Sequence, residues 1–187
     1  MLTKPHRAHT GRAGTAMLAA AATLGGCAPE LSTPIADQDL LSMDSDYVAF
    51  GMVSYLTSNG LRTGRIQADT AYVYEETATA VLKQMEIVFY DEAGGERATV
   101  TGRDGEWGTE TERMVARGDV ILLIHADSST IESSEIYYDQ DLERIWSDST
   151  TVQRFKDGSV FSGSSFESDL TFEELRIANM RGGLPRN

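Results

Sequence analysis

Cysteine and histidine are nearly absent from this chain of 187 residues, which has one cysteine, Cys27, and three histidines. A lone cysteine closes no disulfide within the chain, so the fold must hold by its core alone, even where an oxidising compartment would permit bridges. His6 and His9 fall in the first 26 residues, read here as a leader, which leaves His125 as the one histidine of the remaining chain. That count excludes a Cys–His nucleophile pair and argues against a histidine metal cluster. No Gly-x-Ser-x-Gly elbow occurs, and Gly163-Ser164-Ser165-Phe166 reads as a turn. Asp139, Asp141 and Glu143 have the spacing of a calcium loop without its glycine, and read as an acidic turn. The expectation is a non-enzyme with no metal and no cofactor.

Basic charge is scarce too. Sixteen Lys and Arg stand against twenty-nine Asp and Glu, for a net charge of -13. Lys4, Arg7 and Arg12 are the only charges in the first 26 residues, so the rest of the chain carries thirteen basic and twenty-nine acidic residues, a net of minus sixteen. Nucleic acid needs a basic footprint and is excluded as a partner. Beyond the leader, no segment approaches the roughly eighteen apolar residues that a membrane helix needs.

What is present begins with the leader itself. The basic Lys4, Arg7 and Arg12 precede a small, mildly apolar run over residues 13–24, followed by Leu24-Gly25-Gly26-Cys27. Leu three residues before a Cys, with two small residues between, is the bacterial lipobox pattern, so residues 1–26 read as a lipoprotein signal peptide. Lipidation at Cys27 would add enough buried hydrocarbon for stable membrane anchoring. Residues 27–46 contain Pro29, Pro34 and little pattern, and read as a flexible tether with a short helical turn around 37–43.

The folded part, residues 47–187, should begin near Tyr47 and form one domain with a sizeable core. Val48-Ala49-Phe50-Gly51-Met52-Val53-Ser54-Tyr55-Leu56 is apolar and β-prone, and Asn59-Gly60 after it is a hairpin signal. Met85, Ile87 and Phe89 fall on one strand face, with Gln84, Glu86 and Tyr90 opposite. Met114, Ala116, Val120, Leu122 and Ile124 share another face, with Arg117 and Asp119 opposite. Ile121 and Leu123 interrupt that polar side, which predicts a strand covered on both faces or placed centrally. Ile136, Tyr138, Ile145, Ser147 and Ser149 continue the alternation. Turns are predicted at 91–95, 127–129, 156–158 and 172–176, and Arg181-Gly182-Gly183 follows the last strand as a closing segment. Strand pairs return loosely about every thirty residues from Ile66 onward, which points to an elongated, wound architecture. The class is all-β, with roughly ten to fourteen antiparallel strands.

Several of these runs resemble the LptC family, periplasmic components of the lipopolysaccharide export machine. They are Met85-Glu86-Ile87-Val88-Phe89-Tyr90-Asp91-Glu92 with Gly94, Gly118-Asp119-Val120-Ile121-Leu122, Ile136-Tyr137-Tyr138-Asp139, and Ile145-Trp146-Ser147-Asp148 with Val152. Gly158, Val160, Gly163-Ser164-Ser165-Phe166, Asp169 and Ile177-Ala178-Asn179-Met180-Arg181-Gly182 complete the set. The resemblance covers residues 65–183 and implies a twisted, open β-jelly-roll. It implies a non-catalytic lipopolysaccharide carrier that receives the glycolipid from inner-membrane ABC transporter subunits. The carrier passes the acyl chains to another jelly-roll (OstA-like) protein of the periplasmic bridge. The trough lining would be Met85, Ile87, Phe89, Val100, Val120, Leu122, Ile136, Tyr138 and Phe166. Docking edges would be an N-terminal strand with Ile66, Ala68 and Tyr72 and a C-terminal strand with Leu175, Ile177 and Asn179. Arg62, Arg65, Lys83, Arg97 and Arg103 are candidates for a basic rim, against scattered solvated charges. Family members are held by an N-terminal transmembrane helix; here a lipobox stands in its place. The expected location is periplasmic, lipid-anchored through Cys27, with the inner membrane favoured. The competing reading is a tethered β module for protein binding or envelope architecture, with a closed core and no lipid cargo.

Overall fold

The structure, a computed structural model, describes residues 45–183. The signal segment, Cys27 and the helical turn expected around 37–43 lie outside the described residues. All regular structure among the described residues is strand: β1 (Tyr47–Ser58), β2 (Leu61–Tyr74), β3 (Thr79–Tyr90), β4 (Glu96–Gly108), β5 (Met114–Ile124), β6 (Ser129–Asp139), β7 (Arg144–Ser147), β8 (Thr151–Arg154), β9 (Val160–Gly163), β10 (Ser165–Asp169), β11 (Arg176–Ala178) and β12 (Arg181–Gly183). They form one antiparallel sheet, in which β1 to β7 neighbour one another in chain order. Short local turns explain that meander. Asn59 and Gly60 both have positive φ, 51° and 80°, so a two-residue loop closes the β1–β2 hairpin with the twist its strands prefer. At the β3–β4 turn, the Gly95 N–H donates to Asp91 Oδ1 at 2.7 Å. At the β5–β6 turn, the Ser129 N–H donates to Asp127 Oδ1 at 2.9 Å. Aspartate at such positions bonds the backbone two or more residues on and starts the turn.

The long strands share a defect that sets the fold. In β3, Ala80 and Leu82 are buried, Gln84 is exposed, and then Met85, Ile87 and Phe89 are buried. The inward phase has shifted by one residue. The same shift occurs at Gly51 in β1, Asp69 in β2, Arg103 in β4 and Ser134 in β6, each exposed. In β5 two residues, Gly118 and Asp119, occupy the break, so Met114, Ala116, Val120, Leu122 and Ile124 keep one phase. These positions are in register. Phe50↔Thr70 and Met52↔Ala68 flank Gly51 and Asp69; Lys83↔Asp104 and Met85↔Gly102 flank Gln84 and Arg103; Arg117↔Glu135 and Val120↔Ser133 flank Ser134. Together they draw one crease across the sheet. On β1, β3 and β5 the crease residues have positive φ, with Gln84 at 49° and Asp119 at 53°.

Beyond β6 the crease breaks each chain pass in two. β8 pairs with residues 130–133 of β6, and β7 with residues 137–139 beyond the crease. β9 and β10 divide at Ser164 and β11 and β12 at Asn179 in the same way. Two expectations are corrected here. Gly163-Ser164-Ser165 is a strand passing the crease, not a reversal, and Arg181–Gly183 is a strand paired to β9.

Bending at the crease turns one sheet into two facing half-sheets, an open jelly-roll. Phe89 on one half meets Tyr138 on the other, with ring centroids 5.2 Å apart. Leu56, Ile66, Leu82, Leu122, Ile131 and Ile145 are fully buried between them, each stabilising by about 1.5–3 kcal/mol. β5 is central in the sheet, yet its outer face is open, with Ile121 41% exposed.

Gln84 tests the crease. Gln84→Ile should destabilise by about 1–2 kcal/mol, because a β-branched residue resists positive φ, whereas Gln84→Gly should leave stability unchanged or raise it. Urea midpoints that moved equally for both variants would deny Gln84 its bent backbone.

Candidate functional site

All nine residues expected to line a trough lie in one buried apolar cluster: Met85, Ile87, Phe89, Val100, Val120, Leu122, Ile136, Tyr138 and Phe166. Alternation carries them there. Ile87, Val100 and Leu122 pair across β3, β4 and β5, and Phe166 reaches the cluster from β10, opposite Ser147. None is more than 4% exposed, so the slot between the half-sheets is filled by the protein's own side chains. Met85 illustrates the fit: its sulfur lies 2.1 Å from where a Cβ would stand on Gly105. Glycine at 105 thus makes room for a flexible thioether at the bend.

The interior is not apolar throughout. Ser129, Ser133, Ser147, Thr151, Gln153, Ser159 and Ser168 are buried along β6 to β10. Ser133 and Ser147 share a hydrogen bond of 2.9 Å, and the Thr151 hydroxyl donates to the Ser149 carbonyl at 3.0 Å. Alternation alone places these inward, but hydroxyls in a strand look like solvated residues. Only the pairing of β8 with β6 shows which side they face. The slot therefore has an apolar wall on β2 to β6 and a partly hydroxyl-lined wall at its C-terminal side.

Where the half-sheets part, a cavity of about 570 Å³ opens to solvent. Its inner wall is Phe89 and Tyr138, with Leu61, Ala93 and Leu170 around it, and its rim carries Arg62 and Arg97 with Asp91, Glu92, Glu143 and Asp169. The five candidate residues form no basic rim and are scattered, mostly paired, surface charges. Arg65 pairs with Glu86 at 3.4 Å, Lys83 with Asp104 at 2.7 Å, and Arg103 with both Asp104 and Asp119. A hydrogen bond from Lys83, then one from Arg103, holds the Asp104 carboxyl below the ordinary value. Only Arg62 and Arg97 reach the mouth; the Arg97 guanidinium donates to the Leu170 carbonyl at 3.5 Å, and Arg62 lies 3.9 Å over the Tyr55 ring. Burial, then the charges of Glu112 and Asp139, pushes the Tyr138 hydroxyl well above the phenol range, so it stays neutral.

Sequence reading missed Phe172, placing it in a turn. The turn is there, but Phe172 points inward, 8% exposed, with its ring 5.7 Å from Phe89. The loop is organised by Asp169. Partial burial works to raise this carboxyl. Hydrogen bonds from the Thr171 hydroxyl and from the backbone N–H groups of Glu174, Glu173 and Phe172 outweigh it and hold the carboxyl below the ordinary value.

The sheet has two open edges. β11 pairs with β10 alone, and β12 with β9 alone. Ile177 lies within β11, while Leu175 and Asn179 flank it, the Asn179 amide donating to Ser164 Oγ at 2.9 Å. At the N-terminal side a correction is needed. Ile66, Ala68 and Tyr72 lie on β2, which is bonded to β1 on one side and β3 on the other, so it offers no free edge. Alternation identifies a strand but not its neighbours, and β1 supplies one more strand outside. β1 is the edge. It runs twelve residues without a charge, and Tyr47, Phe50, Val53 and Tyr55 are exposed along it.

His125 accepts or donates a 2.9 Å hydrogen bond with the Thr99 hydroxyl. Asp139 pairs with Arg113 at 2.7 Å and accepts the Leu142 N–H, an acidic turn stapled from within. Among the described residues no group of His, Cys, Asp and Glu is arranged to hold a metal ion.

Comparison with known proteins adds two findings. A family model described as "Lipopolysaccharide-assembly, LptC-related" matches residues 15–182. Among solved structures, the chain is similar to LptH of Pseudomonas aeruginosa, described as the LptA homologous periplasmic component of the conserved lipopolysaccharide transport device. That likeness has a TM-score of 0.50 at 13% identity, covering 66% of this chain and 95% of the other. At such identity it speaks for the fold. No protein of curated function matches the sequence.

The Asp169 loop carries a prediction of its own. Asp169→Ala should raise hydrogen exchange across residues 170–175 while leaving β2 to β5 protected. Because the carboxyl is held below its ordinary value of 3.8, its contribution is present at neutral pH and fades as acid protonates it. Unchanged protection in the variant would refute its role as organiser.

Proposed function

The chain belongs to the LptC-related family of lipopolysaccharide assembly, and from that premise we propose that it is a non-catalytic relay for the acyl chains of lipopolysaccharide. The observation that carries the proposal is the mouth: the apolar interior reaches solvent at a cavity of about 570 Å³ whose inner wall is Phe89 and Tyr138. Acyl chains need only apolar lining, at roughly 25 cal/mol per Å² buried, and the β2–β6 wall supplies it. The nine buried residues would become the trough as the half-sheets part. The anionic headgroup would remain outside, since the rim sets four carboxylates against two arginines.

Its place in the periplasm follows from the same family membership. Receiving the glycolipid from inner-membrane ABC transporter subunits and passing it to another jelly-roll protein would use the two open edges. An uncharged, twelve-residue β1 is a ready template for another strand and suits the transporter side, while β11 and β12 suit the next bridge protein. Residues 1–26 would direct export, lipidated Cys27 would anchor the chain, and residues 27–46 would tether it. The alternative, a tethered β module without lipid cargo, has one observation in its favour: the slot between the half-sheets is filled by the protein's own side chains.

One experiment decides between them, and a second tests the edges. A photo-crosslinking residue at Phe89 should capture lipopolysaccharide in cells in an ATP-dependent way, and the same probe at outward-facing Glu86 should not. No crosslink at Phe89 in folded protein would favour the binding module. At the edges, Ile177→Pro should abolish capture of the next bridge protein, and Val53→Lys should weaken transporter association, each leaving a folded monomer. Unaltered association in either variant would reassign that edge.

A further inference from the structure

The loop between β10 and β11 holds an aromatic residue that its turn does not require. Phe172 has φ 60°, a backbone state that glycine adopts freely and other residues resist. Its ring is buried all the same, against Phe89, which in turn meets Tyr138 from the facing half-sheet. Phe89 and Tyr138 line the inner wall of the mouth, and Phe172 packs against Phe89 within the buried cluster. Leu170 of the same loop lines the cavity, and Arg97 reaches across to bond its carbonyl. Four residues after Phe172 the chain enters β11, the C-terminal edge.

We propose that Phe172 is a built-in occupant of the acyl slot, a stopper that a hydrocarbon chain must displace to reach the interior. The proposal rests on the trough reading and deepens it. A phenyl ring and a stretch of alkyl chain are interchangeable fillers of one apolar space, so they compete. The strained backbone at 172 works in the same direction, since ejecting the ring lets the loop relax. Loop 170–175 therefore sets how tightly cargo is held. Because it leads straight into β11, loading displaces chain beside the edge where the next protein would dock.

The test is a titration of the purified protein with a dansyl-labelled long-chain fatty acid, then with lipid A in detergent. Phe172→Ala and Phe172→Gly should each tighten binding about tenfold, and Phe172→Trp should not. The glycine variant guards against misfolding, since it suits the backbone at this position. If folded Phe172→Gly binds no more tightly than the parent, the stopper is wrong and the trough stands. If neither parent nor variants bind either probe, the trough reading fails and the stopper fails with it.

Discussion

One line of backbone kinks governs this molecule. A β-strand has a strict period of two, so a long strand that bends toward one face must keep its apolar residues on that face through the bend. Here Gly51, Asp69, Gln84, Arg103 and Ser134 each let the pleat resume in the opposite phase, whereas in β5 the pair Gly118 and Asp119 takes up the break and the phase is kept. Since all of them lie in register, the bends add into one crease instead of scattering as local irregularities. The facing half-sheets, the buried slot and the mouth all follow from it. At and beside the crease, Lys83, Asp104, Arg103 and Asp119 link β3, β4 and β5 by ion pairs. These are exposed pairs and contribute little to stability.

The crease also explains why some features were legible in the sequence and others were not. Strand existence was readable because alternation such as Met85, Ile87, Phe89 survives on either side of a kink. Asn59-Gly60 named its own turn. The crease left no signature, since the residues at it are glycine, aspartate, glutamine, arginine and serine, with nothing in common but exposure. Pairing order was also hidden. Ile66, Ala68 and Tyr72 look like an edge until β1 is laid beside them, because which strand lies outermost is a non-local fact. Phe172 was misjudged for a related reason. Its neighbours Thr171, Glu173 and Glu174 are polar turn residues, and only contact with Phe89, eighty-three positions earlier in the chain, makes it interior.

The two edges differ in how they are exposed. β11 and β12 are short, three residues each, and divided at Asn179. Short edges are one way to blunt unwanted pairing. β1 uses neither shortness nor charge, and among the described strands it leaves the longest unpaired flank. No proline interrupts the chain between Pro34 and Pro185. An edge so undefended is hazardous in a free protein and sensible in one whose edge is covered in its working state.

A closed interior is compatible with carrying lipid, and it suits a relay better than an open one would. An apolar trough held open in water would leave its lining hydrated or void, and either state is costly. The folded chain avoids this by filling the slot with its own Met85, Phe89, Tyr138 and Phe166. In the proposed relay an acyl chain would gain only the difference between its contacts and those it replaces. That difference lowers apparent affinity in the way any competing closed state does. For a storage protein this would be a defect. For a protein that must accept a chain at one edge and release it at the other, modest affinity is the requirement, because a trough that bound acyl chains with its full apolar area would not let them go.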